Sequence, residues 1–217
     1  MPRNKRMNGL AESISKDRPK STKSVASTVH QLKITLTEVK PPIWRRIEVK
    51  DCTLAELHEI LQVSMGWQEC HLHLFKIGSE HYGDPDQWPK EFEDDADTLN
   101  EGNAKLSQLL ANGVKKFLYT YDMGDCWDHA VLIEKTFPAE PGVKYPRCSG
   151  GQRACPPEDC GGAPGYQNFL EAVRDPGHEE HDAMLEWVGG SFDAEAFDLA
   201  AVNRALAAVS KAGGSVQ

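Results

Sequence analysis

Between Tyr121 and Gly162 the chain carries Asp122, Asp125, Asp128, His129, Glu158 and Asp159, together with the thiols Cys148, Cys155 and Cys160. Carboxylates beside an imidazole can act as general acid and base or hold a hard cation such as magnesium. Three thiols within thirteen residues of a Gly/Pro-rich stretch suit a soft cation, zinc above all. The zinc reading takes Cys148, Cys155 and Cys160, with the fourth ligand coming from His129, from Cys126 or from a histidine of the strands or helices. The hydrolytic reading takes Asp125, His129, Glu158 and Asp159 as the working groups. A structural explanation competes with both, because Asp in turns bonds to its own backbone and a histidine among apolar neighbours is satisfied within a core.

Other residues extend the choice. Trp44-Arg45-Arg46 offers two guanidinium groups, either for an anion or for packing on the indole. With Tyr121, Asp122 and Trp127, these arginines form the candidate ligand-binding set. His71 and His73 stand two apart, on one face if their segment is a strand, where they could ligate a metal or serve as a hydrogen-bonded pair. The spacing of the acidic stretch 78–103 does not place a Gly and a distal Glu as a calcium loop requires. His178-Glu179-Glu180-His181 has the wrong order for a metalloprotease helix, and no phosphate-binding Gly loop or nucleophile elbow occurs.

The elements that must position these residues follow from periodicity. Residues 30–39 and 43–49 alternate as strands, separated by Pro41-Pro42, which cannot donate to a ladder. In the second of them Ile43, Arg45, Ile47 and Val49 share a face. Thr53-Leu54-Ala55-Glu56 is a capping box, Leu54, Leu57, Leu61 and Met65 recur at helical spacing, and Gly66 stands where a helix stops. A strand is expected over 71–77, an irregular acidic loop over 78–103 and a helical turn over 105–110. A strand pair is expected around the turn Asp122–Asp125, and helices over 166–173, 178–188 and 193–209. Strands first and helices last predict a single α+β domain with a mixed or antiparallel sheet, one helix after the first two strands and a C-terminal helical cluster.

Of the 217 residues, 40% are hydrophobic and 26% charged, which suits one globular core. The net charge of −9 conceals an asymmetry. Residues 1–24 hold seven basic and two acidic side chains, leaving 17 basic and 31 acidic in the rest. The expected organisation is a disordered basic leader over 1–28, a domain over 29–210 and a flexible tail over 211–217. An acidic body disfavours nucleic acid as a partner of the domain, although a basic leader could make salt-sensitive contacts. No run of about 18 apolar residues occurs, so no membrane-spanning helix is expected, and the basic N-terminus lacks the apolar core of a secretory signal. The expected location is cytoplasmic, where six cysteines would be reduced.

The runs LKITLTEVKPPIWRRIEV, TLAELHEILQVSMGW, HLHLF, YGDPD, YTYDMGDCWDH, YPRCSGGQRACPPEDCGG, GYQNFLEAV and EWVGGSFDAEAFDLAAVNRAL occur in this order. Over about residues 29–207 they resemble the plasmid pRiA4b ORF-3-like family. The resembling positions are Trp44, Arg45 and Arg46; His71 and His73; Tyr121, Asp122, Gly124, Asp125, Trp127 and His129; and Cys148, Cys155, Pro156, Pro157, Glu158, Asp159, Gly161 and Gly162. Cys126 and Cys160 stand outside the pattern. The resemblance implies a compact α+β domain and an association with plasmids and insertion sequences, without a defined activity. Three functions are therefore open: a ligand- or partner-binding domain stabilised by a metal, a metal-dependent hydrolase or nuclease-like enzyme, and an accessory DNA-binding protein using the leader with Arg45 and Arg46.

Overall fold

The computed structural model of the protein describes residues 27–87 and 98–212. Strands β1 (Thr28–Leu36), β2 (Trp44–Lys50), β3 (His73–Ile77), β4 (Glu80–Gly83), β5 (Leu99–Asn100), β6 (Lys116–Tyr121), β7 (Trp127–Pro138) and β8 (Arg147–Gln152) form one sheet. Their order is β5-β4-β3-β6-β7-β1-β2-β8. Among the described residues only the β4–β5 pairing is parallel, so the sheet is mixed. Helices α1 (Leu54–Met65) and α2 (Leu106–Ala111) lie among the strands in sequence, and α3 (Gly162–Arg174), α4 (His181–Trp187) and α5 (Leu199–Ala212) follow them. The architecture is α+β, with the helix after the first two strands and the C-terminal helical cluster in the expected places.

Period-two alternation decides which face is covered. In β7, Trp127, His129, Val131 and Ile133 are buried while Leu132 and Glu134 are exposed; in β6, Phe117, Tyr119 and Tyr121 are buried. In β2 the buried face holds Arg45 with Ile47 and Val49, next to Ile43 just before the strand, so the hydrophobic face does enclose a guanidinium. Helix α1 packs on this side with α5 against it. Its start is a capping box: Thr53 Oγ1 accepts the Glu56 N–H at 3.2 Å, and the Glu56 carboxylate accepts the Thr53 N–H at 2.7 Å. It stops at Gly66, whose φ of 106° is the left-handed conformation that favours glycine.

Three local expectations change. The stretch 78–103 is not wholly irregular, because β4, β5 and a 3-10 turn (Glu101–Asn103) occur within it. Strand β8 covers Arg147-Cys148-Ser149-Gly150-Gly151-Gln152, whose glycines carry little intrinsic strand preference. Pairing with β2 across a bulge supplies what the local sequence lacks. On its outer side, Asn203 of α5 bonds Cys148 twice, accepting its N–H at 2.8 Å and donating to its carbonyl at 2.9 Å. Helix α5 also begins at Leu199 rather than 193, after Asp198 has capped the amides of Ala200 and Ala201. The basic leader falls almost wholly outside the described residues, as does most of the C-terminal tail.

Candidate functional site

The β6–β7 turn is held by one side chain. Asp122 takes φ 60°, which aspartate tolerates better than most residues. Its Oδ1 accepts the amides of Gly124 at 2.8 Å and Asp125 at 3.3 Å, and its carbonyl accepts the Cys126 N–H at 2.7 Å. Asp125 then reaches across to the loop before α3, where its Oδ2 accepts the Gly161 N–H at 3.0 Å. The backbones touch here: a Cβ on Gly162 would lie 2.7 Å from the Asp125 carbonyl oxygen. One helical turn on, a Cβ on Gly165 would overlap the Cys160 carbonyl oxygen. Glycine at both positions lets the loop carrying Glu158 and Asp159 close onto the turn.

The closure gathers three carboxylates around an imidazole just before β3. His71 Nε2 lies 3.1 Å from Asp159 Oδ1, 3.7 Å from Asp122 Oδ2 and 3.9 Å from Glu158 Oε2. Glu158 is fixed through Oε1, which accepts the Gln68 N–H at 2.7 Å and the Tyr121 hydroxyl at 3.2 Å. That hydroxyl in turn accepts the Cys70 N–H at 3.0 Å. Burial, reinforced by the Glu158 charge, pushes the Tyr121 phenol well above its ordinary value, so it remains a donor. The other oxygen, Glu158 Oε2, and His71 Nε2 are both buried and have no hydrogen-bond partner among the described residues. Asp122 and Glu158 are largely enclosed, whereas the Asp159 side chain is 72% exposed and opens the cluster to solvent.

Among the described residues, the group of three or more His, Cys, Asp or Glu with ligand atoms mutually within 4.8 Å is His71, Asp122 and Asp159. One imidazole with several carboxylates suits a divalent first-row cation, the nitrogen favouring zinc or iron and the oxygens manganese. The cysteines and His129 do not assemble into a comparable set. Cys148 lies on β8, where its thiol donates to the Gly150 carbonyl at 3.3 Å. Burial pushes the thiols of Cys148 and Cys155 up, and that of Cys160 up to about 12.

His129 is fully buried, with Nδ1 donating to the Tyr119 carbonyl at 3.2 Å and Nε2 accepting from Trp67 Nε1 at 3.4 Å. Both nitrogens are thus engaged in the core, and burial lowers the imidazole to about 4. Of the hydrolytic quartet, Glu158 and Asp159 reach the cluster, Asp125 holds a backbone amide and His129 stays inside.

The ligand-binding set divides in the same way. Tyr121 and Asp122 border the cluster, and Trp127 is 2% exposed, tilted against Trp67 at 5.7 Å. Arg45 is buried, donating to the carbonyls of Ser64, Trp44 and Gln152 at 2.9, 2.9 and 3.0 Å, with its guanidinium 4.6 Å from the Phe197 ring centre. Arg46 lies on the opposite face and forms a two-pronged pair with Glu134 at 2.7 and 2.9 Å. Both arginines are spent on the fold rather than presented to an anion. His71 and His73 also part company, because β3 begins only at His73. There Nε2 meets Glu101 Oε2 at 2.8 Å, and the ring stacks on His58 with centres 3.4 Å apart. His71 was visible in HLHLF as half of a pair, but its true partners are 51 to 88 residues further along the chain.

A family model described as plasmid pRiA4b ORF-3-like protein matches residues 28–201. The uncharacterized protein y4hQ of Sinorhizobium fredii is 42% identical over 184 residues, covering 84% of this chain and 92% of its own length. A crystal structure of a protein of unknown function, MM3350 from Methanosarcina mazei Go1, aligns with a TM-score of 0.71 and 37% identity, over 80% of this chain and 97% of that one. With the matched region spanning the whole sheet, the turn, the loop and the helices α3 and α4, the chain belongs to the plasmid pRiA4b ORF-3-like family.

Proposed function

We propose that the protein is a ligand-binding domain built around a divalent cation held by His71, Asp122, Glu158 and Asp159. The observation that carries the reading is the convergence of three carboxylates within 3.9 Å of one imidazole nitrogen, from three separate segments of the chain. Surface acids scatter to reduce repulsion, whereas Asp122 is held in place by bonds from Gly124 and Asp125, and Glu158 by bonds from Gln68 and Tyr121. The left-handed backbone at Asp122 and Asp159 fits the same picture, since strained non-glycine conformations gather where function fixes a side chain. Asp159, on the open side, leaves coordination positions for water or a ligand. Binding is favoured over hydrolysis because two of the four proposed working groups, Asp125 and His129, are committed to the backbone and the core.

The test is calorimetric titration of EDTA-treated protein with manganese and with zinc, followed by elemental analysis after gel filtration. One ion per chain is expected, and it should be lost in His71→Ala. Failure of both metals to bind the folded wild-type protein would sink the reading.

A further inference from the structure

Beside the cation cluster, a cavity of about 430 Å3 runs between the loop before α3 and the helices α3 and α4. This lies within the usual range of roughly 300–1,000 Å3 for small-ligand pockets. Its apolar side is Phe169, Met184 and Trp187; its polar side is Asn168, Glu180 and Asp159. Phe169 is buried and meets the Trp187 ring edge-to-face at 5.7 Å, which holds the indole upright. Trp187 is nevertheless 47% exposed, which makes it one of the few large apolar side chains among the described residues that face solvent. An indole anchored on one side and open on the other is a platform for a second flat or cationic group.

Charge selects the occupant. Glu180 and Asp159 line the cavity, and among its described lining residues there is no Lys, Arg or His. Asp159 is backed by Asp122 and Glu158. Even with a divalent cation bound, three carboxylates exceed it by one negative charge, so an anionic ligand meets repulsion with or without the metal. A positively charged head between Glu180 and Asp159 meets the opposite field, and an apolar body can lie on Trp187 and Met184.

We infer that this cavity is a binding site for a small organic ammonium ion with an aromatic body, positioned by Glu180, Asp159 and Trp187. The inference goes beyond the metal reading and shares only Asp159 with it.

Phenethylammonium, phenethyl alcohol and phenylacetate are titrated into the full-length protein, once treated with EDTA and once loaded with manganese. The ammonium compound is expected to bind at least about tenfold more tightly than the alcohol or the carboxylate. Trp187→Ala and Glu180→Gln should each weaken it by about fivefold or more, and Trp187→Phe should largely restore it. Both sites are at the surface, and unchanged thermal melting identifies folded variants. Equal binding of ammonium and alcohol, or full affinity in folded Trp187→Ala, overturns the inference. Manganese binding without ammonium binding removes this site and leaves the cation reading intact; ammonium binding without manganese binding does the reverse.

Discussion

Asp125 Oδ2 and the Gly161 amide meet at 3.0 Å, joining the β6–β7 turn to the loop before α3. Every carboxylate of the candidate site depends on this closure, because Asp122 belongs to the turn and Glu158 and Asp159 to the loop. Asp125→Ala removes the acceptor without touching a proposed ligand. It should weaken manganese binding by about tenfold, the usual scale for groups that orient ligands, while Asp125→Asn should retain most of the affinity. Calorimetry on both variants checks this, and equal losses would show that the carboxylate charge matters rather than the bond.

Asp122 performs two tasks that substitution can separate. Asp122→Asn keeps an Oδ1 acceptor for the Gly124 and Asp125 amides but removes the charge facing His71. Melting should change little, while cation affinity falls by more than about tenfold. Asp122→Ala should in addition lose about 1–3 kcal/mol of stability in denaturant titration, because a residue without αL tolerance and without an acceptor leaves the turn unsupported.

Gly165→Ala forces a methyl group against the Cys160 carbonyl oxygen, and backbone cannot yield as a side chain end can. A loss of about 2–4 kcal/mol in chemical denaturation is expected. By contrast, Gly142→Ala meets no atom within 4 Å and suffers only from its φ of 80°. It should cost about 1 kcal/mol. Comparable losses at the two positions would show that the α3–loop contact yields to an added methyl group.

His129 makes stability pH-dependent in a defined direction. Burial lowers its folded pKa to about 4 from an ordinary 6.5, so between these values the unfolded chain binds the proton and the folded chain does not. Its contribution is therefore complete above pH 6.5 and is lost as pH falls toward 4, by about 3 kcal/mol at most. His58, lowered to about 3 by burial and by the stacked His73, acts in the same sense. Denaturant titrations from pH 7.5 to pH 4.5 should show the decline, at roughly 1.4 kcal/mol per pH unit for each such group. His129→Gln should lessen the slope. A slope unchanged by that substitution would mean that the imidazole is not buried in its neutral form.

The thiols should separate by exposure. Cys70 and Cys126 are exposed, whereas Cys52 and Cys148 are buried. Burial holds the thiols of Cys52, Cys155 and Cys148 above their ordinary value, which lowers the reactive thiolate population. Brief alkylation under native conditions followed by peptide mapping should find Cys70 and Cys126 modified first. Early labelling of Cys155 would indicate opening of the loop that carries Glu158 and Asp159.

The strands of the sheet were readable where burial on one face imposed alternation, as in β1, β2 and β7. The capping box of α1 was readable because its signal lies within four residues. Strand β8 was not, since its Gly-Gly pair acquires strand geometry only from β2, about one hundred residues earlier. The site was half legible: Glu158, Asp159, Asp122 and Tyr121 stood out, and so did His71 as a metal-ligand candidate, but not as the imidazole that gathers these carboxylates. Spacing had set His71 beside His73 as a pair, whereas the chain begins β3 between them and turns them to different neighbours. His129 and the cysteines drew attention by residue type, and only three-dimensional packing reveals that those side chains are occupied elsewhere.

Asn203 has a consequence for assembly. An outermost strand with bare amides and carbonyls invites a neighbouring molecule to add its own strand and continue the sheet. By bonding both the amide and the carbonyl of Cys148, the Asn203 carboxamide stands in for the next peptide group and closes that growth point within the molecule. One side chain on a helix thereby works against polymerisation through β8.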